Sequence, residues 1–281
     1  MSAIELAPHN AYGLTLRSPV IVAPGCAGPS MLRDLDPTII GAVTTRTAML
    51  HTPREGRVRW GGVPAGVVFE RLPAISLRSL LQAEARRWLR SPAPVILSLS
   101  GTDDELTEMA ARLETVEGIG GLLLEIQTER GPSELPAALA TIRTQTALPL
   151  LPLLPPAQTG AAPQDALDQI APLLAVAGAD ALVCASYPLG CTIVDGAVVE
   201  GVLVGPTLAP WTLRALALVA PTVDVPLIAL GGVADVDLAR QCLAAGARAL
   251  LIDGALHGDP AAAQRIGAAL QRNASSEAAS A

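Results

Sequence analysis

The chain contains no lysine. Every fixed cation is therefore an arginine, and Schiff-base chemistry or a lysine acting as acid or base is excluded. Aromatic residues make up only 2% of the chain (Trp60, Trp88, Trp211, Tyr12, Tyr187 and Phe69), so leucine, valine, isoleucine and alanine must fill the core. The cysteines, Cys26, Cys184, Cys191 and Cys242, fall in no CxxC or Cys/His spacing; no metal site is expected, and buried reduced thiols are. A basic stripe is missing as well: the net charge is -7 with arginine scattered along the chain, which argues against a nucleic-acid partner. No basic segment followed by an apolar run opens the chain, and no apolar stretch reaches the roughly 18 residues of a membrane span. A soluble cytoplasmic protein without a membrane partner is the expectation.

What is present is alternation. At 281 residues and 51% hydrophobic content, the chain can bury one large core. Residues 4–16 read as a short hairpin turning near Asn10 and Gly13. Eight short apolar runs follow, at 20–23, 42–45, 95–100, 122–126, 148–154, 181–185, 227–230 and 249–252. They lack polar alternation, as strands covered on both faces of a parallel sheet do, and each precedes a segment with helical spacing. Helix starts are marked by Ser30, Ser76, Thr102 or Asp103, Ser133, Asp235 and Asp259. Eight βα units predict a single α/β domain, a (β/α)8 barrel with an N-terminal β-hairpin, over residues 1–272, with a frayed tail at 273–281. The fifth run carries Pro149, Pro152, Pro155 and Pro156, each lacking a ladder donor, so that strand should be short or distorted.

Ligands of such barrels sit where the strands end, and the loops after strands seven and eight commonly form a phosphate cup from glycine amides. Leu230-Gly231-Gly232-Val233 followed by Asp235, and Ala245-Gly246-Ala247 leading to Gly254, fall at those loops. Together with Leu16-Arg17-Ser18-Pro19, Ala23-Pro24-Gly25, the run from Gly41 through Thr45-Arg46-Thr47, Pro53-Arg54-Glu55-Gly56, Ala177-Gly178-Ala179-Asp180 and Gly205-Pro206, they make the chain resemble the soluble dihydroorotate dehydrogenases. The resemblance runs from about Leu14 to Pro260. It implies an FMN-containing β/α barrel that oxidises dihydroorotate in pyrimidine synthesis. It also implies a cofactor site built from Ala23, Gly25, Thr45, Arg46, Gln127, Ser186, Gly205, Gly231, Gly232 and Gly254. The expected partners are a small phosphate-containing ligand and, in assembly, a second copy of the chain.

The catalytic positions depart from that pattern. The family's strand-two lysine is Arg46, its loop asparagine falls near Phe69 with Glu70 and Arg71 following, and its strand-five lysine is Leu153. The segment that supplies the base reads Gln127-Thr128-Glu129-Arg130-Gly131-Pro132. The pair ending strand six is Ser186-Tyr187, and the last cup glycine falls on Asp253 or, with a shift of one, on Gly254. Glu125, Glu129 and Arg130 are the remaining candidates for catalytic chemistry, although Glu125 could instead pair with Arg46. Arg54, Arg57 and Arg59 could clamp an anion or form a solvated loop; His51 and His257 both fall on loops of the strand-end face, but nothing in the sequence suggests that they meet, and two separated histidines do not make a metal site. Three readings stay open: a dihydroorotate dehydrogenase-like flavoprotein, a non-catalytic homologue using the barrel for binding or assembly, and a different barrel enzyme acting on a phosphorylated metabolite.

Overall fold

A computed structural model describes residues 3–27, 35–51, 58–129, 131–155, 167–185 and 187–280, with 273–280 as backbone only. A hairpin of β1 (Ile4–Glu5) and β2 (Thr15–Leu16) opens the chain. Next come β3 (Val20–Val22), β4 (Ala42–Thr44), β5 (Thr47–Met49), β6 (Trp60–Val63), β7 (Gly66–Phe69), β8 (Ala74–Ser76) and α1 (Leu77–Trp88). The middle of the chain alternates: β9 (Val95–Gly101), α2 (Asp103–Leu113), β10 (Gly121–Ile126), α3 (Leu135–Arg143), β11 (Leu150–Pro152), α4 (Leu167–Val176) and β12 (Leu182–Ala185). After β13 (Leu189–Val194) and β14 (Ala197–Val204), the alternation resumes with α5 (Ala209–Val219), β15 (Leu227–Leu230), α6 (Val236–Ala244), β16 (Ala247–Ile252) and α7 (Ala262–Ser280).

Strands β11, β10, β9, β4, β3, β16, β15 and β12 lie side by side in that order, all parallel. The seam between β11 and β12 closes through a parallel bridge, Leu153 to Val183, with the Leu154 amide donating to the Val183 carbonyl at 2.9 Å. The chain is thus an eight-stranded β/α barrel, and each of the eight apolar runs supplies one strand. The proline-rich run gives the shortened strand its missing donors require: β11 spans three residues and joins β12 by that bridge.

Alternation along each strand sets two cores. Ile21, Ile96, Leu123, Leu151, Val183, Ile228 and Leu251 fill the barrel interior. Their neighbours Val20, Val22, Leu97, Leu122, Leu124 and Leu250 pack outward against the helices. The hairpin plugs the strand-start end with Leu6, Leu14 and Leu16. Glu5 holds that hairpin shut: its Oε1 accepts the Ala7 amide at 2.9 Å and the Leu14 amide at 2.5 Å, and its Oε2 accepts the Thr15 hydroxyl at 2.5 Å.

Helix starts follow the capping residues in part. Thr102 caps α2 in a reciprocal box with Glu105, Asp235 accepts the Asp237 and Leu238 amides at 3.0 and 2.9 Å, and Ser76 caps α1. Ser133 does not cap: it lies in a 3-10 turn, Pro132–Glu134, that leads into α3 without a side-chain cap. Asp259 lies before α7 and pairs with Arg265 at 2.5 Å, while Ser30 lies outside the described residues. Helix α7 runs through the segment expected as a frayed tail.

Sequence reading missed a second sheet. β13, β14, β7 and β6 form an antiparallel sheet in that order, above the strand-end face, built from segments between the second and third barrel strands and after the sixth. One thiol expected to be buried, Cys191, is exposed on β13, and Cys26 is half-buried; Cys184 and Cys242 are in the core. Among the described residues, no helix is long and apolar enough to cross a membrane.

Candidate functional site at the barrel mouth

Because the barrel strands are parallel, their last residues converge at one end. Arg46, Glu125, Gln127, Leu153, Gly231 and Asp253 all stand at or just past a strand end there. The sequence expectation of a common face thus has its physical cause in the topology. The centre of that face is nearly filled. Thr47, Ser98, Leu123, Glu125, Leu153, Tyr187, Leu230 and Leu256 surround a cavity of about 40 Å³.

The filling is organised around Asp253. Its carboxyl is fully buried, and Tyr187 donates its phenolic hydroxyl to Oδ2 at 3.1 Å. His257 Nε2 stands 3.7 Å from Oδ1, close enough for an ion pair but too long for a hydrogen bond; both atoms are buried without a hydrogen-bond partner. The Asp253 carboxyl raises the His257 pKa above its usual value, against desolvation. Burial, reinforced by Asp253, keeps the Tyr187 phenol far above its ordinary pKa. The Cys26 thiol beside them is pushed up to about 12, by burial first and Asp253 second, although the Leu256 and Ala255 amides point at its sulfur. A thiol so placed is inert.

The expected cup glycines answer to protein contacts. Gly232 has φ +77°, and a Cβ there would stand 2.1 Å from the Ala209 amide nitrogen at the start of α5. A Cβ on Gly254 would meet the Ala262 Cβ at 2.5 Å, and one on Gly205 the Ala65 carbonyl oxygen at 2.4 Å. Gly231 shares the left-handed backbone at φ 103°. Gly25, with φ +77°, packs loosely under Leu256. These glycines make turns and let backbones approach each other, and a buried carboxyl occupies the cup position beside them. Among the described residues, the centre of the mouth does not fit a flavin phosphate and ring: the space at the barrel axis, about 40 Å³, is far below the roughly 300–1,000 Å³ of ligand pockets.

A larger space opens to one side. Glu125 near the end of β10 and Gln127 one residue past it border a well of about 280 Å³ whose other walls include Leu72, Leu153, Leu154, Ala185, Leu189 and Val202. The Gln127 side-chain amide donates to the Ser100 hydroxyl at 3.1 Å, and Ser100 stands opposite Glu125 across the β9–β10 ladder. Glu125 is exposed at the well, with protein packed along its flanks. That desolvation raises its pKa, with the Ser100 hydrogen bond opposing the rise.

The other sequence candidates lie elsewhere. Arg46 turns away from the mouth and pairs with Glu84 of α1 at 2.9 Å, so it is not the partner of Glu125. Thr45 is buried and structural: its hydroxyl donates to the Arg46 carbonyl at 3.0 Å and accepts the Ser98 amide at 3.2 Å. Ala23 pairs its amide with the Ile252 carbonyl at 3.0 Å within the barrel wall. Arg59 is held by Glu70 at 2.6 Å. Glu129 borders a separate open cleft beside α2 and α3, away from the centre of the mouth. Arg54, Arg57, Arg130 and Ser186 lie outside the described residues. Sequence reasoning missed the Tyr187–Asp253 pair; its members are 66 residues apart and no spacing signals it.

No protein-family model matches the chain. Curated proteins do. The catalytic subunit of dihydroorotate dehydrogenase B (NAD(+)) from Desulforudis audaxviator is 32% identical over 284 positions, which cover 92% of this chain and 90% of that one. The corresponding subunit from Geotalea daltonii is 30% identical with the same coverage, and dihydroorotate dehydrogenase A (fumarate) from Lacticaseibacillus paracasei is 28% identical over 92% of this chain and 94% of its own. This likeness spans about nine-tenths of the chain rather than one motif: the chain belongs to the dihydroorotate dehydrogenase family.

Proposed function

We propose that this chain is a dihydroorotate dehydrogenase-type barrel that has given up the flavin and the oxidation of dihydroorotate, and keeps its mouth as a small-molecule binding site. The observation that carries this reading is the closed centre of the mouth, where Tyr187 donates to a buried Asp253 and about 40 Å³ remains. A carboxylate about 4 Å from a phosphate charge, at an effective dielectric near 20, opposes binding by about 4 kcal/mol per charge pair. Leu153, at the fifth strand end, can neither donate a hydrogen bond nor stabilise the negative charge that a flavin gains on accepting hydride. Dihydroorotate is itself a carboxylate, and Glu125 repels it at the adjoining well. The segment after β10 presents Glu129 and no thiol, and a positioned base ordinarily contributes about 10²–10⁴-fold.

The test is to incubate the purified chain with excess FMN, remove unbound flavin by gel filtration, record the visible spectrum and then add dihydroorotate with an electron acceptor. A colourless protein without turnover is expected. Stoichiometric yellow protein turning over at a few per second, the ordinary range for enzymes, would overturn the reading.

A further inference from the structure

The well beside the closed centre has one ionisable group that is not already committed. Its walls are mostly leucine, valine, proline and alanine, and its acidic side chain is Glu125. Tyr187 also borders it, but its hydroxyl is given to Asp253. No arginine or histidine lines the well among the described residues. Arg46, the strand-end arginine that sequence offers as a partner, is paired with Glu84, and Arg59 is paired with Glu70.

The carboxyl is also held in place. Glu125 is held by the β10 strand, paired in register with Ser100 of β9, whose hydroxyl accepts the Gln127 side-chain amide. Glu125 is exposed to this apolar-walled well, and among the described residues no cationic side chain lines the well to balance its charge. A pocket that is mainly apolar, with one charged and a few polar groups converging, is the ordinary form of a small-ligand site.

We infer that this well binds a small organic cation, an ammonium or amidinium group on a compact apolar body, with the cation on Glu125 and the body against Leu72, Leu153, Leu154, Ala185, Leu189 and Val202. A cation there restores the missing charge partner, and an anion is repelled. The family's named substrate, an anion, is thereby exchanged for the opposite charge class. The inference rests on the reading that no flavin covers the mouth.

The experiment uses the full chain and three isosteric single-ring probes: benzamidine (cation), benzamide (neutral) and benzoate (anion). Each is titrated calorimetrically and by ligand-observed NMR, against the natural chain and Glu125→Gln. Benzamidine is expected to bind at least tenfold more tightly than benzamide, benzoate not to bind, and E125Q to erase the benzamidine advantage. Equal affinity for benzamidine and benzamide, undiminished benzamidine binding to E125Q, or no binding of benzamidine at all overturns the inference. The comparison of probes on the natural chain stands even if the variant fails to fold. An FMN titration in parallel separates the two readings: flavin uptake sinks the loss of cofactor, whereas no flavin and no benzamidine preference sinks the cation site alone.

Discussion

Replacing Tyr187 by Phe removes one oxygen from the closed mouth and leaves the ring. The lost hydrogen bond is 3.1 Å long and ends on a fully buried carboxyl whose other oxygen already lacks a hydrogen-bond partner. Hydrogen bonds to charged groups contribute about 1.5–3 kcal/mol, and a buried acceptor left without a donor adds its own desolvation penalty, so a loss of about 2–3 kcal/mol is expected. In an Asp253→Asn background the same change should cost about 1 kcal/mol, because the acceptor is then neutral. The difference between the two legs of this double-mutant cycle, about 1–2 kcal/mol, isolates the pair. Urea denaturation followed by tryptophan fluorescence measures it, with an unchanged denaturant slope as the check that the transition keeps its character. A Tyr187→Phe loss within about 0.5 kcal/mol, the range of surface substitutions, would refute the claim that this pair closes the mouth.

Two further outcomes follow from the same cluster and from the thiols. The folded-state pKa of His257 is raised above 6.5 by Asp253, so its contribution to stability is fully present below about pH 6.5 and is lost as pH rises through the folded value. His257→Gln should flatten the urea midpoint against pH over that window, and identical profiles for both proteins would contradict the pairing. Of the thiols, the exposed Cys191 should react rapidly with a disulfide reagent at pH 8. Cys26 and Cys184, both held at about 12, and Cys242, at about 11, should react only on unfolding. Mass spectrometry of the labelled native protein checks this, and early labelling of Cys26 would mean that the mouth opens.

The barrel was legible because its signal is local and repeated: eight apolar runs, each buried on both faces, followed by helical spacing. The shortness of β11 is also written in the sequence, as prolines that lack a ladder donor. The antiparallel sheet was not read, although Asp195-Gly196, with φ 52° and 77°, is a strong hairpin signal between β13 and β14. The partly exposed faces of those strands carry weaker apolar patterns than the barrel runs. Glu125 and Gln127 were legible as strand-end residues. The hydrogen bond of Gln127 to Ser100 on β9 was not, because it depends on which residues face each other across the β9–β10 ladder.

The substitutions at Leu153, Tyr187 and Asp253 read in sequence as three separate departures from a flavin site. In the fold they adjoin one space: Leu153 and Tyr187 line the same small cavity, and Tyr187 reaches across to Asp253. A tyrosine placed at the mouth without Asp253 would bury a hydroxyl without its acceptor, and Asp253 without the tyrosine would leave both carboxyl oxygens without a hydrogen bond. Either change alone therefore costs stability, whereas the pair satisfies itself. That mutual dependence is why the position expected for a phosphate can carry a buried carboxyl in a barrel that still closes, and why single-residue comparison understated how completely the mouth has been rebuilt. The larger accessible space lies beside the barrel axis, in the well at Glu125, where charge selection is the reverse of that expected for a carboxylate substrate.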